Sequence, residues 1–331
     1  MDCDRSRGTL VVHPGMTDLV SVLIPCHNAA PWLAATLASV RAQTWPRCEI
    51  IVVDDGSTDG CGAILEAQAG PDLTVIRQEN RGAAAARQRA LTAARGAYLQ
   101  YLDADDLLHP EKIACQIARL RAEGDRHIAS ARWVRFAGAR DEAAAFRAAP
   151  ESNWGDFAPA DYLVATFAAG GMMHPAAWLL PRAVAERTGP WLESLSLDDD
   201  GEYFTRAVAA SAGVRFCPDS LAWYRSNLDG SLSGRRSPAA WRSAAEVCRR
   251  STATLLDLET SPRTRRACAL YWQRLAFAAY PEGCDVTALA LRRAGELDPS
   301  VARPPAGPGF ERLARITGWK LARRLQRALR R

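Results

Sequence analysis

The stretch Tyr101-Leu-Asp-Ala-Asp-Asp-Leu-Leu-His-Pro110 places three carboxylates directly after an apolar run. The run, residues 97–102, is typical of a buried strand. Asp103, Asp105 and Asp106 would then stand at the carboxyl end of this strand, where ligands bind in open α/β sheets. Carboxylates so close together repel one another, and a bound cation or hydrogen-bond donors must offset that repulsion.

Two interpretations of this acidic stretch are open. Oxygen-only ligands suit a hard divalent ion such as Mg²⁺ or Mn²⁺. The alternative is a polar turn that leads into the next helix, with Pro110 at the first helical position. The surrounding sequence bears on the choice between them.

Three further apolar runs precede this strand, and each of them ends in polar residues. They cover residues 20–25, 49–53 and 73–76, and a helical stretch follows each one. Continuous apolar runs are typical of parallel strands that are covered on both faces. Strands that alternate with helices predict an α/β fold with a doubly wound, mostly parallel sheet. The polar residues that follow the strands are therefore expected to converge on one edge of that sheet.

The predicted edge is acidic and lacks the glycine-rich turns of dinucleotide and P-loop sites. A phosphate ligand needs positive charge, which a divalent ion between the acidic cluster and a diphosphate would supply. Arg81 and Arg87 could add to that charge. Asp54 or Asp55 could accept a hydrogen bond from a base N–H, and His27 could lie flat against a ring. Each of these residues could equally be a turn residue, a helix cap or a solvated charge.

The composition is that of a globular protein, since 48% of the 331 residues are hydrophobic and 24% are charged. The net charge of +5 is uneven, because residues 310–331, the basic tail, carry eight Lys or Arg and one Glu. The tail thus accounts for +7 and leaves −2 for the rest, so nucleic-acid binding is not indicated. The nine cysteines include no Cys-x-x-Cys pair, which indicates reduced thiols and a cytoplasmic location.

No segment is predicted to cross a membrane. Residues 1–17 lack the apolar core of a signal peptide and are interpreted as a leader. Residues 162–181 carry no charge, but Gly170-Gly171 and His174-Pro175 interrupt them. They are therefore predicted to form a helix end and then a buried strand over residues 172–180. His174 could touch a substrate, although a core position is the favoured interpretation.

Four motifs follow the predicted strands. They are Val20-Ser-Val-Leu-Ile-Pro-Cys-His-Asn28, Val52-Val-Asp-Asp-Gly-Ser-Thr-Asp-Gly60, Glu79-Asn-Arg-Gly82 with Ala86-Arg87, and Leu102-Asp-Ala-Asp-Asp106. In this order and spacing they resemble the family 2 glycosyltransferases. The resemblance implies the GT-A fold, with helices flanking the sheet and here a C-terminal helical extension. It also implies a nucleotide-diphosphate-sugar donor, usually UDP-linked, a divalent ion, Mn²⁺ or Mg²⁺, and inversion at the anomeric carbon.

The resemblance also implies roles for individual residues. Asp103 and Asp105 match the D-x-D motif, and Asp105 is favoured as the metal ligand with Asp103 beside it. Arg225 and the segment Ser231-Leu-Ser233 resemble a family element near the donor phosphates. The family often has Tyr where His27 stands, which leaves the base contact open. The predicted donor-binding residues are Pro25, His27, Asn28, Asp54, Asp55, Arg81, Arg87, Asp103 and Arg225.

A second acidic triplet, Asp198-Asp199-Asp200, precedes a predicted helix. By itself it is typical of an acidic helix N-terminus, which the helix dipole stabilises. Family 2 enzymes, however, carry an acidic pair here whose second member is the catalytic base. The resemblance therefore implies that Asp200 is the base. Asp199 stays the alternative, because the extra Asp198 leaves the register open by one residue.

The remaining segments divide the chain into four parts: 1–17, the leader; 18–135, the nucleotide-sugar-binding half; 136–235, the acceptor-binding and catalytic-base half; and 236–331, a helical extension with the basic tail. Later strands are predicted at 127–136, 214–217 and 221–225, and helices at 239–258, 263–280 and 286–296. The tail is predicted to be one amphipathic helix. It could either rest on an anionic membrane surface or pack on the body.

The expected function is the metal-assisted, inverting transfer of a sugar from a nucleotide-diphosphate sugar to an acceptor hydroxyl. The acceptor would be a glycan or a lipid-linked compound in cell-surface polysaccharide or glycolipid synthesis, with the protein cytoplasmic and peripheral at the inner face of the membrane. A non-catalytic nucleotide-sugar binding module is one alternative. The other is a sugar nucleotidyltransferase, although the glycine-rich N-terminal loop of that class is missing after residues 20–25.

Overall fold

The computed structural model describes residues 19–171, 174–226, 236–301 and 308–328. Within these residues, eight strands form one sheet in the order β3-β2-β1-β4-β7-β6-β8-β5. The strands are β1 Val20–Cys26, β2 Cys48–Asp55, β3 Leu73–Gln78, β4 Tyr98–Tyr101, β5 Leu107–Leu108, β6 Ile128–Phe136, β7 Trp178–Pro181 and β8 Val214–Arg225.

Helices flank the sheet and bury its apolar side chains. The helices are α1 Ala30–Arg41, α2 Cys61–Ala67, α3 Ala83–Ala93, α4 Lys112–Glu123, α5 Glu142–Phe146, α6 Pro159–Ala169, α7 Arg182–Thr188, α8 Asp199–Ala210, α9 Pro238–Leu258, α10 Pro262–Ala279, α11 Cys284–Leu297, α12 Pro308–Thr317 and α13 Trp319–Ala328.

The first half of the sheet is parallel, as predicted. β1 pairs in parallel with β2 and β4, and β2 pairs in parallel with β3. Side chains from alternate faces of β1, such as Val22 and Leu23, are fully buried in two different core clusters. Burial on both faces explains the unbroken apolar runs in the sequence. All four strands point the same way, so their carboxyl ends share one edge.

The second half of the sheet differs from the prediction in two places. The strand predicted at 172–180 begins only at Trp178, because Pro175 opens a 3-10 turn, Pro175–Ala177, and proline has no N–H for a sheet. The two strands predicted at 214–217 and 221–225 are one strand, β8. A bulge shifts its register with β6, where Ala131 pairs with Cys217 but Arg132 pairs with Leu221.

The C-terminal helices form a separate apolar cluster that packs on the rest of the molecule. α9, α10 and α11 bury Trp241, Trp272, Ala276 and Val286 against one another. Phe167 of α6 stacks on Tyr271 of α10 with ring centroids 4.5 Å apart. The predicted helical extension is therefore present and is joined to the sheet through α6 and α8.

The tail is two helices, not the single helix that was predicted. Gly318, at φ +75°, ends α12 before α13 begins, because few side chains tolerate that backbone conformation. α13 packs on the body: Ala322 is fully buried and Arg323 lies 4.1 Å over the ring of Phe277. On its other side Leu321 and Leu325 are exposed. Across the described part of the chain, no helix is long and apolar enough to span a bilayer.

Candidate active site

A cavity of about 950 Å³ opens at the carboxyl ends of β1, β2 and β4. Its size is at the upper end of the range of about 300–1,000 Å³ that is usual for ligand pockets. It brings together most of the residues that the sequence singled out. Those residues are Pro25, His27, Asn28, Asp55, Arg87, Asp103, Asp105, Asp199, Asp200 and Arg225.

Asp55 organises one end of the cavity. Its Oδ1 accepts hydrogen bonds from Gln78 Nε2 at 2.7 Å and from the backbone N–H of Arg81 at 2.8 Å. Its Oδ2 accepts the N–H of Gly82 at 2.8 Å, at the start of α3. A carboxylate oxygen can accept two hydrogen bonds, so Oδ2 has capacity for one more donor. Asp55 thus holds the loop before α3 and can still accept a base N–H.

His27 and Asn28 follow β1 and face the same end. His27 Nδ1 lies 2.8 Å from the carbonyl oxygen of Asp55, which assigns the proton to Nδ1 and leaves Nε2 as an acceptor. Asn28 adopts a left-handed conformation, at φ +51°, and its Oδ1 accepts the N–H of Thr58 at 2.8 Å. These bonds fix the loop after β2 against the loop after β1.

Residues 103–106 form the acidic turn, and other elements hold it in place. The Thr36 hydroxyl of α1 lies 2.9 Å from the carbonyl oxygen of Ala104 and 3.0 Å from that of Asp106. Arg225, at the end of β8, donates its N–H to Asp106 Oδ1 at 2.7 Å and its Nε–H to the carbonyl of Asp105 at 2.8 Å. Hydrogen bonds from α1 and from the end of β8 therefore hold the acidic turn in place.

The acidic turn fits a divalent ion. Burial, together with the charge of Asp103, raises the pKa of Asp105 to about 6. Burial, together with Asp105, also raises the pKa of Asp106 well above its usual range. Oxygen ligands under such repulsion suit a hard cation, and Mg²⁺-type ions are often held by one or two carboxylates plus water and substrate phosphates. Asp103 and Asp105 meet that requirement, although no three-residue ligand cluster is formed within the described ranges.

Arg87 joins the acidic turn to the second acidic triplet. Its Nη2 lies 2.8 Å from Asp103 Oδ1 and its Nη1 lies 2.7 Å from Asp199 Oδ2. Burial by itself lowers the pKa of Arg87, but Asp103 and Asp199 raise it above its usual range. The guanidinium is only 6% exposed. Its direct contact with a donor phosphate therefore remains a prediction, while its contact with both carboxylates is observed.

Asp199 and Asp200 differ in their surroundings. Asp199 is buried and paired with Arg87. Asp200 faces the cavity, and its Oδ1 accepts the N–H of Gly201 at 3.0 Å. Burial and the charge of Asp199 raise the pKa of Asp200 to about 7, and Arg87 opposes that rise. Asp200 thus combines a position on the cavity wall with a pKa near neutrality, as general-base catalysis requires. Asp198 also lines the cavity and burial raises its pKa to about 6, but its Oδ2 already accepts the Tyr271 hydroxyl at 3.0 Å.

Two predicted donor-binding residues do not line this cavity. Asp54 accepts the N–H of Ser57 at 3.0 Å and so holds the loop after β2. Arg81 pairs with Glu193 at 2.6 Å and faces a shallower groove. The segment Ser231-Leu-Ser233 and the leader, residues 1–17, lie outside the described residues.

His174 is a buried core residue next to the acidic turn. It is 3% exposed and lies between the rings of Trp133 and Tyr224. Burial lowers its pKa to about 3, so the imidazole is neutral. Its Nδ1 lies 3.6 Å from Asp106 Oδ2, which is too long for a strong hydrogen bond. The favoured interpretation from the sequence, a core histidine, agrees with this position.

The sequence interpretation missed the part of the cavity formed by the C-terminal helices. Phe167, Trp241, Tyr271, Arg274 and Leu275 line it, and we call this part the helical lobe. The residues from 236 onwards were expected to form a helical extension with the basic tail, and no site residue was assigned to them. An arginine among the buried residues of α10 was the one signal available, and its neighbours become visible only once the helices pack.

Comparisons with known proteins agree on the kind of protein. The family model described as Glycosyl transferase family 2 matches residues 21–189. Glycosyltransferase GlyG of Streptococcus pneumoniae is 38% identical over 101 residues, which are 30% of this chain and 34% of that protein. The putative teichuronic acid biosynthesis glycosyltransferase TuaG of Bacillus subtilis is 42% identical over 102 residues, 30% of this chain and 40% of TuaG. The chain thus matches well under half the length of these relatives.

Solved structures match over a greater length. S. aureus TarS residues 1–349, in complex with UDP, has a TM-score of 0.66 and 17% identity, over 94% of this chain and 91% of that one. The mannosyltransferase PcManGT from Pyrobaculum calidifontis, in complex with GDP-Man and Mn²⁺, has a TM-score of 0.56 and 22% identity, over 94% and 85%. The predicted GT-A architecture is confirmed at the level of the fold.

Proposed function

Since the chain belongs to glycosyl transferase family 2, we propose that it transfers a sugar from a nucleotide-diphosphate sugar to a hydroxyl of an acceptor, with inversion at the anomeric carbon. The observation that carries the proposal is the arrangement of acids in one cavity. Asp103 and Asp105 stand on one side and Asp200 on the other, while Arg87 pairs with Asp103 and Asp199 between them. In a single displacement, one side would stabilise the leaving diphosphate and the other would accept the proton of the acceptor hydroxyl.

The donor would bind with its nucleoside near Asp55 and His27. The spare acceptor capacity of Asp55 suits the N–H of a pyrimidine base, and the exposed His27 ring can stack against it. We propose UDP as the nucleotide, which is the nucleotide in the TarS complexes with UDP and UDP-GlcNAc. The PcManGT complex contains GDP-Man, so the base is the part of this assignment that a donor panel must check.

Asp105 and Asp103 would hold a divalent ion beside the donor diphosphate. Such an ion, when bound, supplies positive charge that stabilises the leaving nucleotide. The Mn²⁺ in the PcManGT complex and the oxygen donors of the acidic turn support this assignment. Asp103 also pairs with Arg87, so Asp105 has the carboxylate more available to an ion.

Asp200 would remove the proton from the acceptor hydroxyl. A hydroxyl is a weak nucleophile at neutral pH, and a carboxylate with a pKa near 7 can accept its proton as the bond to the sugar forms. The hydroxyl attacks the anomeric carbon on the face opposite the leaving diphosphate, so the configuration inverts. Asp199 would position Asp200 through its bond to Arg87.

The direct test is turnover with a panel of nucleotide-diphosphate sugars in the presence of Mn²⁺. We expect slow donor hydrolysis or transfer with a UDP-sugar by the wild type, and its loss in Asp200→Asn. A protein that binds the donor but never turns it over would be a nucleotide-sugar binding module. Formation of a nucleotide-sugar from a sugar phosphate and a nucleoside triphosphate would instead make it a nucleotidyltransferase.

The setting that we propose is the synthesis of cell-surface polysaccharide or glycolipid, with a glycan or lipid-linked acceptor. The name of TuaG, a putative teichuronic acid biosynthesis glycosyltransferase, supports it. The exposed Leu321 and Leu325 on the basic α13 support a peripheral contact with the inner face of the membrane. The cytoplasmic location is part of the same proposal.

A further inference from the structure

The helical lobe continues the cavity beyond the second acidic triplet. Phe167 of α6, Trp241 of α9 and Leu275 of α10 give it apolar walls, and each of these side chains is at most 9% exposed. Nothing in the proposed donor site needs this space, because the nucleoside and diphosphate contacts lie at the ends of β1, β2 and β4. The lobe is therefore available to the second substrate.

Arg274 is the unusual residue of this lobe. Its Nη1 donates to the carbonyl oxygen of Ala168 at 3.0 Å, at the C-terminal end of α6. Its Nη2 is buried and makes no hydrogen bond to any residue that the structure describes. No carboxylate of the described chain lies within 4.0 Å of its guanidinium. Two other arginines that line the cavity, Arg87 and Arg327, each have a carboxylate partner.

An unpaired cation in such a place is costly. Burial lowers the pKa of Arg274, and Tyr271 and Cys248 oppose that effect only in part. Buried charges are normally paired or hydrogen-bonded, because desolvation without a partner costs free energy. A guanidinium with a free N–H on a cavity wall is well suited to the oxygens of a phosphate.

Arg274 is connected to the second acidic triplet through Tyr271. Tyr271, three residues earlier on α10, donates its hydroxyl to Asp198 Oδ2 at 3.0 Å. Residues three apart on a helix are neighbours on its surface. Asp198 directly precedes Asp199 and Asp200 in the chain. One turn of α10 therefore carries both Tyr271, which contacts the acidic triplet, and the unpaired guanidinium of Arg274. Arg274 and Asp200 also line the same cavity.

We infer that the helical lobe binds the acceptor and that Arg274 holds a phosphate group of it, so that the second substrate is a hydroxyl compound carrying a phosphate. The inference rests on the proposed function and names the acceptor class for that site. Arg236, Arg323 and Arg327 also line the cavity. The phosphate can belong to a soluble polyol phosphate or to a lipid phosphate, whose chain would contact the apolar walls.

The test is calorimetric titration of the full chain with UDP and Mn²⁺ at saturation, so that the proposed diphosphate site is blocked. Two phosphate probes, glycerol 3-phosphate and farnesyl phosphate, are compared with glycerol and farnesol. We expect at least one phosphate probe to bind the wild type at least about tenfold more tightly than its neutral partner, as expected for a hydrogen bond to a charged group. Preference for glycerol 3-phosphate identifies a soluble acceptor, and preference for farnesyl phosphate a lipid acceptor.

Variants assign the effect to Arg274. Arg274→Gln keeps a donor for Ala168 and removes the charge, so it should lose the phosphate preference while UDP affinity stays at the wild-type value. Arg274→Lys should keep part of the preference. Arg292→Gln on α11, outside the cavity, removes a charge from an exposed site and should behave as the wild type.

The outcomes separate this inference from the proposed function. A wild type that binds UDP but does not prefer phosphate probes contradicts the acceptor assignment alone. The acceptor assignment is also contradicted if Arg274→Gln keeps the wild-type preference for phosphate probes. A wild type that binds no UDP or other nucleotide contradicts the proposed function, and the acceptor assignment falls with it.

Discussion

Arg87 Nη1 lies 2.7 Å from Asp199 Oδ2, although the two residues are 112 positions apart in the chain. The same guanidinium lies 2.8 Å from Asp103 Oδ1. One buried arginine thus connects α3, the acidic turn and the first turn of α8. The carboxylates on the two sides of the cavity keep their relative positions because of it.

The stability of the fold should depend on Arg87. Arg87→Met leaves Asp103 and Asp199 without their shared partner, and breaking a buried ion pair costs about 3–5 kcal/mol. Arg89→Met on the same helix is the control, because Arg89 is exposed. Urea unfolding followed by tryptophan fluorescence measures both. If Arg87→Met lowers the free energy of unfolding no more than the control does, the bridging role is contradicted.

The two candidate bases should respond differently to substitution. Asp200→Asn keeps the shape and removes the proton acceptor, so kcat should fall about 10²–10⁴-fold while donor affinity stays nearly constant. Asp199→Asn should lower both stability and activity, because its partner Arg87 loses a charged contact. Donor titration beside transfer kinetics separates the two. Normal kcat in Asp200→Asn together with a kcat loss in Asp199→Asn would shift the register by one residue.

Activity should rise with pH through the neutral range. Asp200 accepts a proton only as the carboxylate, and its pKa is raised to about 7. The logarithm of kcat/KM should therefore increase up to about pH 7 and then level off. The folded-state pKa exceeds the unfolded one, so Asp200 costs stability as pH rises from about 4 to 7. Asp200→Asn should then be at least as stable as the wild type at pH 8, and a clear loss would argue against this environment.

The enhancement of UDP binding by a divalent ion should depend on Asp105. Asp105→Asn removes a charged ligand, so UDP binding should lose most of its enhancement by Mn²⁺. Glu111→Gln, at an exposed position beyond the acidic turn, is the matched control. Calorimetry with and without EDTA is the measurement. Binding and turnover by the wild type that are unchanged in EDTA would rule out the metal assignment.

The membrane contact should depend on the exposed face of α13. The double change Leu321→Glu and Leu325→Glu should abolish sedimentation with phosphatidylglycerol vesicles, because it replaces apolar contacts with repelled charges. Leu258→Glu on α9 is a suitable control, since Leu258 is 41% exposed and Leu325 is 42% exposed. Binding should weaken at high salt. Equal sedimentation of the double variant and the wild type would favour a tail that only packs on the body.

The first half of the fold could be predicted because its strands are buried on both faces and therefore appear as unbroken apolar runs. Val22 and Leu23 illustrate this, as neighbouring residues that are both fully buried. The same logic places the acidic turn at the end of β4. The sequence could not show that β8 continues past Pro218 through a bulge. Pairing with the neighbouring β6 decides whether the strand continues or ends there.

Long-range contacts explain what was missed in the site. Arg87 was expected near the phosphates, and a sequence does not show that two carboxylates from distant segments neutralise it. Arg274 was not singled out from the sequence, because its isolation depends on how α6 and α10 pack. Asp200 was assigned as the base because a local motif resembles the family pattern. The structure places it on the cavity wall, and its role as the base stays a prediction.

The Thr36 hydroxyl, which contacts the carbonyls of Ala104 and Asp106, has a consequence for donor choice. α1 carries Thr36, and its first residue, Ala30, donates its N–H to Asp59 Oδ2 in the loop after β2. One helix therefore sets the spacing between the loop after β2 and the acidic turn. We expect the protein to select donors by the length of their phosphate chain, so a sugar linked through one phosphate would not reach across that spacing.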